Sequence, residues 1–340
     1  MIHGTATPVE SVGWQAQLAG SITSLPLLLQ RLELDPALLE PGLAASRDFP
    51  LRVPEHYLSL MRKGDPHDPL LRQVLPIASE LEEQPGFLLD PLAEQHSNAR
   101  PGIIHKYHGR LLLIVSGGCA VNCRYCFRRH FAYDDNNLSS SEWDQALDYV
   151  RQDQSIREVI YSGGDPLAAS DKRLHWLTRQ IAAIPHVRRL RVHTRLPVVI
   201  PQRVTDELIE ALAGTRLPLT LVLHCNHANE LSAELQQACT RLRRAGINVL
   251  NQAVLLRGVN EQLQDQLDLC EGLGDLGIQP YYLHQLDPVQ GAAHFQVSDA
   301  QATALHGQML ARLPGYLVPR LVREVPERPG KTPIPTALPD

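Results

Sequence analysis

Three closely spaced cysteines, Cys119, Cys123 and Cys126, constrain this chain more than any other feature. Their C-x3-C-x2-C run follows an apolar stretch at 111–115 that predicts a buried strand, so the thiols should lie in a loop at its carboxyl end, where parallel α/β folds bind ligands. Three thiolates favour a soft metal. A structural zinc site takes four ligands, and His130 has the wrong spacing for a zinc knuckle. A [4Fe–4S] cluster with one open iron fits, and zinc or three incidental buried thiols remain the alternatives.

Strand and helix patterns alternate after residue 103, which predicts a parallel α/β sheet, either doubly wound or a barrel. The predicted strands are 111–115, 158–162, 190–193, 219–224, 249–255 and 280–284, and the predicted helices between them include 141–152, 174–183, 206–213, 233–245 and 263–273. Short helices are expected before residue 64, with a break at Pro26. The stretch 65–101, rich in Pro, Asp and Glu, is expected to follow the surface with one short helix at 77–83.

The cysteine spacing, with Tyr125 just before the last cysteine, resembles the radical S-adenosylmethionine (SAM) superfamily. The resemblance implies a [4Fe–4S] cluster held by the three cysteines, SAM on the open iron, and a partial (β/α)6 barrel with the cluster loop after its first strand. We therefore expect three parts: a helical and loop-rich N-terminal extension at 1–100, the radical SAM barrel at 101–315, and a short C-terminal segment at 316–340.

Net charge and hydropathy limit the kinds of partner and the cellular location expected for this chain. The net charge is −5, which predicts no binding to nucleic acid. Apolar runs fall short of the ~20 residues that span a bilayer, which predicts no membrane association. The sequence from Met1 lacks a basic stretch followed by an apolar one, so no secretion signal is predicted. Three of the six cysteines are clustered and the other three are scattered, which is unlike a disulfide framework. A reducing cytoplasm is the expected location.

Polar groups after later strands are candidate cofactor contacts. The Gly-rich run Ser162-Gly163-Gly164-Asp165 offers backbone amides and a carboxylate for an amino-acid head group, and resembles the SAM-binding glycine segment. A tight turn is the plain alternative. Arg195 is suited to a carboxylate or phosphate, and Gln252 to a bound ligand, although a surface arginine and a satisfied core amide are the commoner cases.

Three further sites carry positively charged residues. Lys106, Tyr107 and Arg110 precede the first predicted strand and suit a phosphate clamp, or form a solvated basic turn. Arg128 follows the cysteines and suits a substrate carboxylate, or is a solvated charge. Lys331 is one of only four lysines and lies in a Gly/Pro loop; it is either an exposed loop residue or an amine for a Schiff base.

Together these motifs resemble the lysine 2,3-aminomutase family over about residues 65–335, and the chain's end soon after Lys331 resembles its short branch, which supplies β-lysine for elongation factor P. The motifs added to those above are Thr194-Arg195-x-Pro197-Val198-Val199, the segments 224–230 and 251–260, Pro280-Tyr281-Tyr282 and Gly330-Lys331-Thr332-Pro333.

This resemblance implies that Lys331 carries pyridoxal 5'-phosphate (PLP) as an imine, with Lys106, Tyr107 and Arg110 near the phosphate. Arg128 would hold the lysine carboxylate, while Asp287 and Glu324 would face the ε-ammonium. Glu324 stands where the family usually has aspartate, and Pro326-Glu327-Arg328-Pro329 replaces a glycine-rich run.

The implied reaction moves the α-amino group of L-lysine to the β-carbon, giving (R)-β-lysine. A SAM-derived radical would remove a hydrogen atom and later return it, so SAM would be a cofactor. Implied partners are L-lysine, a reductant such as flavodoxin or ferredoxin, and elongation factor P with its lysyl ligase. The rival hypotheses are a SAM-consuming modifier of RNA or peptide, and a zinc or iron–sulfur sensor.

Overall fold

The computed structural model describes residues 13–136 and 138–338. Met1 and the opening residues, on which the expectation of no secretion leader rests, lie outside this part. The described α-helices are α1 Trp14–Ala19, α2 Leu25–Arg31, α3 Leu39–Asp48, α4 Glu55–Ser59, α5 Pro69–Arg72, α6 Glu94–Ser97, α7 Ser140–Gln152, α8 Asp171–Ala182, α9 Leu196–Val199, α10 Asp206–Ala213, α11 Ala233–Arg244, α12 Leu263–Asp275 and α13 Asp299–Arg312. Short 3-10 helices cover Pro36–Leu38, Ala78–Leu81, Asp134–Asn136, Pro166–Ala168, Pro201–Arg203, Ala228–Glu230, Ala293–Phe295 and Gly315–Leu317.

One unclosed sheet organises the barrel, with its strands side by side in chain order. Strands β2 to β8 run parallel, and β1 and β9 pair antiparallel at the two edges. The strands are β1 Ile103–Tyr107, β2 Arg110–Ser116, β3 Glu158–Gly163, β4 Arg189–Thr194, β5 Leu219–Leu223, β6 Asn248–Val254, β7 Gln279–His284, β8 Arg320–Arg323 and β9 Thr332–Pro333. The predicted partial (β/α)6 barrel is confirmed, because β2 to β7 are each followed by a helix.

The sequence prediction missed the edge strands and β8. β1 has five residues, Ile-Ile-His-Lys-Tyr, without an alternating pattern, β8 has four residues and β9 two. Such short segments carry little periodicity of their own. The missed β1 matters for function, because Lys106 and Tyr107 belong to a strand and not to the solvated turn that was the alternative.

Helix starts in the barrel follow from ordinary capping. The side chains of Ser170, Thr205 and Ser232 accept hydrogen bonds from backbone amides three residues on, which satisfies donors in the first turn. Each cap ends the loop from the carboxyl end of the preceding strand, so the capping residues set where each functional loop stops.

Two expectations for the N-terminal extension were wrong. Pro26 does not break a helix but lies in the first turn of α2, where its missing N–H costs nothing. The stretch 65–101 does not merely follow the surface, since Leu70, Leu71 and Val74 are fully buried. Their side chains belong to the same buried cluster as apolar residues of the barrel strands.

A single apolar core joins the extension to the barrel. Residues from α2 and α5 belong to the same buried cluster as residues of β2 and β5. The extension therefore packs on the barrel along its length, and the boundaries at 100 and 315 stay a prediction. Within the described residues, no helix is long and apolar enough to cross a membrane.

Candidate active site

The cysteine loop, residues 117–129, leaves the carboxyl end of β2 as predicted. Its three thiols are free and partly exposed. Burial, followed by the neighbouring thiols, raises the pKa of Cys119 well above its usual value, and burial and Cys123 raise the pKa of Cys126 to about 12. The thiols of this loop therefore act on one another electrostatically. Three soft donors that converge in one loop fit an iron–sulfur cluster.

Cluster binding and single-ion binding need different arrangements. In the described part of the chain, no three His, Cys, Asp or Glu side chains are grouped to hold one metal ion. A [4Fe–4S] cluster instead binds each thiolate through a different iron, which the C-x3-C-x2-C loop can serve.

Two carboxylates of the N-terminal extension form ion pairs with arginines of the cysteine loop. Glu80 pairs with Arg124 at 2.6 Å and with Arg129 at 2.9 Å, all three side chains being nearly inaccessible. Glu94, in α6, receives two hydrogen bonds from Arg128, at 2.6 and 2.9 Å. Neither acid was singled out from the sequence, because an isolated glutamate in a Pro-rich stretch looks like a surface charge.

The glycine segment has a different contact from the one predicted. The amides of Gly164 and Asp165 donate to the carbonyls of Ser116 and Gly118, each at 2.8 Å, so these amides are not free for a head group. Gly163 has φ +126°, and a Cβ there would lie 2.3 Å from the carbonyl oxygen of Ser116. Glycine is required because the end of β3 packs directly on the last residue of β2.

Asp165 is occupied by protein donors. Its Oδ1 accepts from the Thr194 hydroxyl and the Leu167 amide, and its Oδ2 from the amides of Arg195 and Leu196, at 2.7 to 3.0 Å. The carboxylate thus ties the ends of β3 and β4 together. Gln252 lies half-buried in β6. The assignment of these residues, with Ser162 and Arg195, to SAM stays a prediction.

A group of charged and polar residues, the Glu324 cluster, surrounds Glu324, which directly follows β8. Its carboxylate receives hydrogen bonds from Lys331 at 2.8 Å, Lys106 at 3.2 Å and the Tyr107 hydroxyl at 2.9 Å. Burial opposes ionisation, but Lys331 and Lys106 outweigh it and hold the pKa of Glu324 well below its usual value. Arg110 lies 4.4 Å over the Tyr107 ring. The sequence did not predict that Glu324 binds Lys106 and Tyr107, and the assignment of these residues to PLP and lysine stays a prediction.

Ion pairs link the Glu324 cluster to the arginines of the cysteine loop. Glu94 accepts from Lys106 at 3.1 Å as well as from Arg128, whose remaining Nη1 donates to Ser162 Oγ at 3.2 Å. Burial opposes its ionisation, but Arg128 and then Lys106 lower the pKa of Glu94. A continuous path of ion pairs therefore runs from Lys331 to the residue two positions after Cys126.

One of the titratable groups around Lys331 is an acid, Asp287, whose pKa is close to neutral pH. Asp287 follows β7, and burial together with the negative Glu324 raises its pKa to about 7. Burial and nearby cations keep His193 and His284 neutral by lowering their pKa values well below the usual one. His193 Nε2 is buried and has no hydrogen-bond partner among the described residues. A primary amine, cations for a phosphate and an unpaired imidazole nitrogen together fit PLP.

Comparison with known proteins agrees with this chemistry. A family model described as the radical SAM superfamily matches residues 113–270. The protein named L-lysine 2,3-aminomutase from Escherichia coli (strain K12) is 51% identical, over 96% of this chain and 95% of its own length. Its namesake from Haemophilus influenzae is 48% identical, over 95% and 96%. That from Clostridium subterminale is 35% identical, over 94% of this chain and 77% of its own length.

Proposed function

Because this chain belongs to the L-lysine 2,3-aminomutase family of radical SAM enzymes, and is therefore an isomerase, we propose that it converts L-α-lysine to (R)-β-lysine with PLP bound at Lys331. The family implies a [4Fe–4S] cluster, SAM and PLP as cofactors. The observation that carries the proposal is the Glu324 cluster, in which one carboxylate binds both Lys331, the only lysine of the C-terminal segment, and Lys106 of β1.

Cofactor attachment needs an accessible amine in a restrained position. Lys331 Nζ is held by Glu324 and lies 5.8 Å from the centre of the Tyr282 ring. Its side chain is 22% exposed, so a ligand can reach it. Lys106 and Arg110 supply positive charge on the adjoining strands for a phosphate group.

The substrate's two ends would be recognised by opposite charges. Arg128 would bind the carboxylate, and Glu94 accepts from Nε and Nη2 of its guanidinium while Nη1 donates to Ser162 Oγ. Asp287 and Glu324 would face the ε-ammonium. A positive side chain favours the ionised form of Asp287, whose pKa of about 7 leaves it partly neutral before lysine arrives.

When bound, the cluster and SAM supply one-electron chemistry for hydrogen-atom transfer, and PLP supplies the conjugated system that lets nitrogen move between neighbouring carbons. This chain's residues hold both ends of lysine, orient its β-carbon and exclude water. Cys119, Cys123 and Cys126 would hold the cluster. A one-electron reductant such as flavodoxin or ferredoxin would be needed.

The use of the product in elongation factor P modification is part of the same proposal. The higher identity to the Escherichia coli and Haemophilus influenzae relatives than to the clostridial one supports the short branch. With the lysyl ligase and elongation factor P present, β-lysine made by this protein should reach the factor more readily than added L-lysine does.

The test is anaerobic incubation of the reconstituted protein with L-lysine labelled with 15N at the α-position, SAM and a reductant, with and without PLP. We expect label at the β-carbon in the (R) product, dependence on PLP, and SAM recovered after many turnovers. Lys331→Ala should abolish the product, whereas Lys172→Ala, which removes a lysine from α8, should not. SAM consumed one for one without β-lysine would instead favour the SAM-consuming class.

A further inference from the structure

We propose that Arg195 is a positioning residue for the cluster, and that it raises the reduction potential through a hydrogen bond to the sulfur of Cys123. This differs from a contact with SAM, which the sequence suggested. The inference relies on the cluster of the family, not on lysine as the substrate.

The contact is direct and enclosed. Arg195 Nη1 lies 2.8 Å from Cys123 Sγ and 2.6 Å from the Tyr125 hydroxyl. Arg195 is only 6% exposed. Of the three cysteine sulfurs, Cys123 Sγ is the one whose hydrogen bond to a cation is seen in the described residues.

Three acceptors on the other terminal nitrogen hold the Arg195 guanidinium in this orientation. Nη2 donates to Glu230 Oε2 at 2.9 Å, Gln73 Oε1 at 2.7 Å and the Tyr57 hydroxyl at 3.0 Å. Glu230 is fully buried and supplies the counter-charge. Tyr57 and Gln73 come from the N-terminal extension, so the extension orients a barrel arginine toward the cluster loop.

Charge on the cluster gives the direction of the effect. Accepting one electron adds a negative charge that is shared with the ligating sulfur atoms. A cationic N–H donor to a sulfur stabilises the reduced form more than the oxidised form, and such hydrogen bonds and net charge are known determinants of cluster potential. Arg195 therefore makes the potential less negative, and Glu230, by neutralising part of its charge, makes it more negative.

Two variants should consequently shift the potential in opposite directions. Arg195→Gln removes the cation and should make the midpoint potential more negative, while Glu230→Gln removes the counter-charge and should make it less negative. Tyr57→Phe is the matched control, since it removes one neutral hydrogen bond while Glu230 and Gln73 still hold Nη2, and it should shift the potential much less than either Gln variant does. Arg195→Lys, which keeps the charge, should shift it less than Arg195→Gln.

The measurement is a dithionite titration of the reconstituted proteins, followed by electron paramagnetic resonance without SAM, PLP or lysine, with iron content determined in parallel. We expect each Gln variant to change the ratio of reduced to oxidised cluster at least tenfold at a fixed potential, which is ~59 mV for one electron. A failure to make β-lysine would leave this readout unaffected, so the two proposals fail separately.

Shifts of the same sign in both Gln variants, or none, would overturn the proposal. So would an unchanged potential in Arg195→Lys and Arg195→Gln together with weakened SAM binding, because that result assigns Arg195 to SAM. If Arg195→Gln and Glu230→Gln both fail to load iron while Tyr57→Phe loads it, Arg195 serves cluster assembly instead, and the proposal is wrong.

Discussion

Glu324→Gln is the change that tests the Glu324 cluster most directly. The substitution keeps the shape of the side chain and an oxygen that can accept from Tyr107, but it removes the negative charge that Lys331 and Lys106 share. Lys106 keeps Glu94 as a partner at 3.1 Å. Lys331 then keeps Asp287 as an acidic neighbour and lies 5.8 Å from the centre of the Tyr282 ring. The perturbation is thus mainly the loss of one ion pair at Lys331.

The exposed fractions set the expected magnitude. The side chains of Glu324 and Lys331 are 13% and 22% exposed, so solvent screens the pair only in part. Removing one partner of a buried pair costs about 3–5 kcal/mol. With Lys106 still paired and some water at Lys331, we expect the free energy of unfolding to fall by about 3 kcal/mol.

Urea unfolding of the cofactor-free protein at pH 7 measures this loss. The pKa of Glu324 is lowered in the folded state, so its stabilisation is complete above the unfolded pKa of about 4.5 and is lost as the pH falls through the folded value. At pH 7 the full contribution is present. A double-mutant cycle with Lys331→Met should give a coupling free energy of about 1–3 kcal/mol.

Glu158→Gln is the matched control. Glu158 pairs with Arg191 at 2.8 Å, with side chains 19% and 14% exposed, and its effect should add to that of Lys331→Met. A loss below about 1 kcal/mol for Glu324→Gln, typical of an exposed pair, or additivity with Lys331→Met, would contradict the geometry described here.

Three further predictions concern the substrate, PLP and the cluster. Asp287 titrates near pH 7 in the absence of lysine, so kcat/KM for lysine should rise with pH through about 7, and Asp287→Asn should lose that inflection along with most lysine turnover while it keeps SAM binding; a wild-type inflection in the variant excludes Asp287. Borohydride reduction and peptide mapping should find the pyridoxyl group on Lys331, and finding it on Lys172 would remove the site. Cys123→Ser should lose iron and SAM cleavage, and full iron content with normal cleavage would refute its role.

The sheet and the position of the cysteine loop could be predicted from the sequence because each predicted strand is apolar over most of its length. Pattern alone placed the cysteines at the carboxyl end of β2, and the placement of Lys331 near Glu324 followed from the short loop between them. These are local relations, and local periodicity records them well.

The partners of the charged residues could not be predicted in the same way. Glu324 meets Lys106 and Tyr107 across 218 and 217 residues, because the fold brings the end of β1 beside the residue that follows β8. Glu230, Gln73 and other members of the buried networks are single polar residues without a repeat. Only the folded chain reveals that they are inside.

The acids that neutralise the cysteine loop belong to the extension, not to the barrel that carries the loop. A fragment beginning at residue 101 would keep Arg124, Arg128 and Arg129 but lose Glu80 and Glu94, leaving buried cations without counter-ions. In chimeras between this chain and a distant relative, exchange of the barrel alone should give poorly folded protein, whereas exchange of extension and loop together should preserve folding. The two segments, distant in the sequence, should therefore be inherited as one unit.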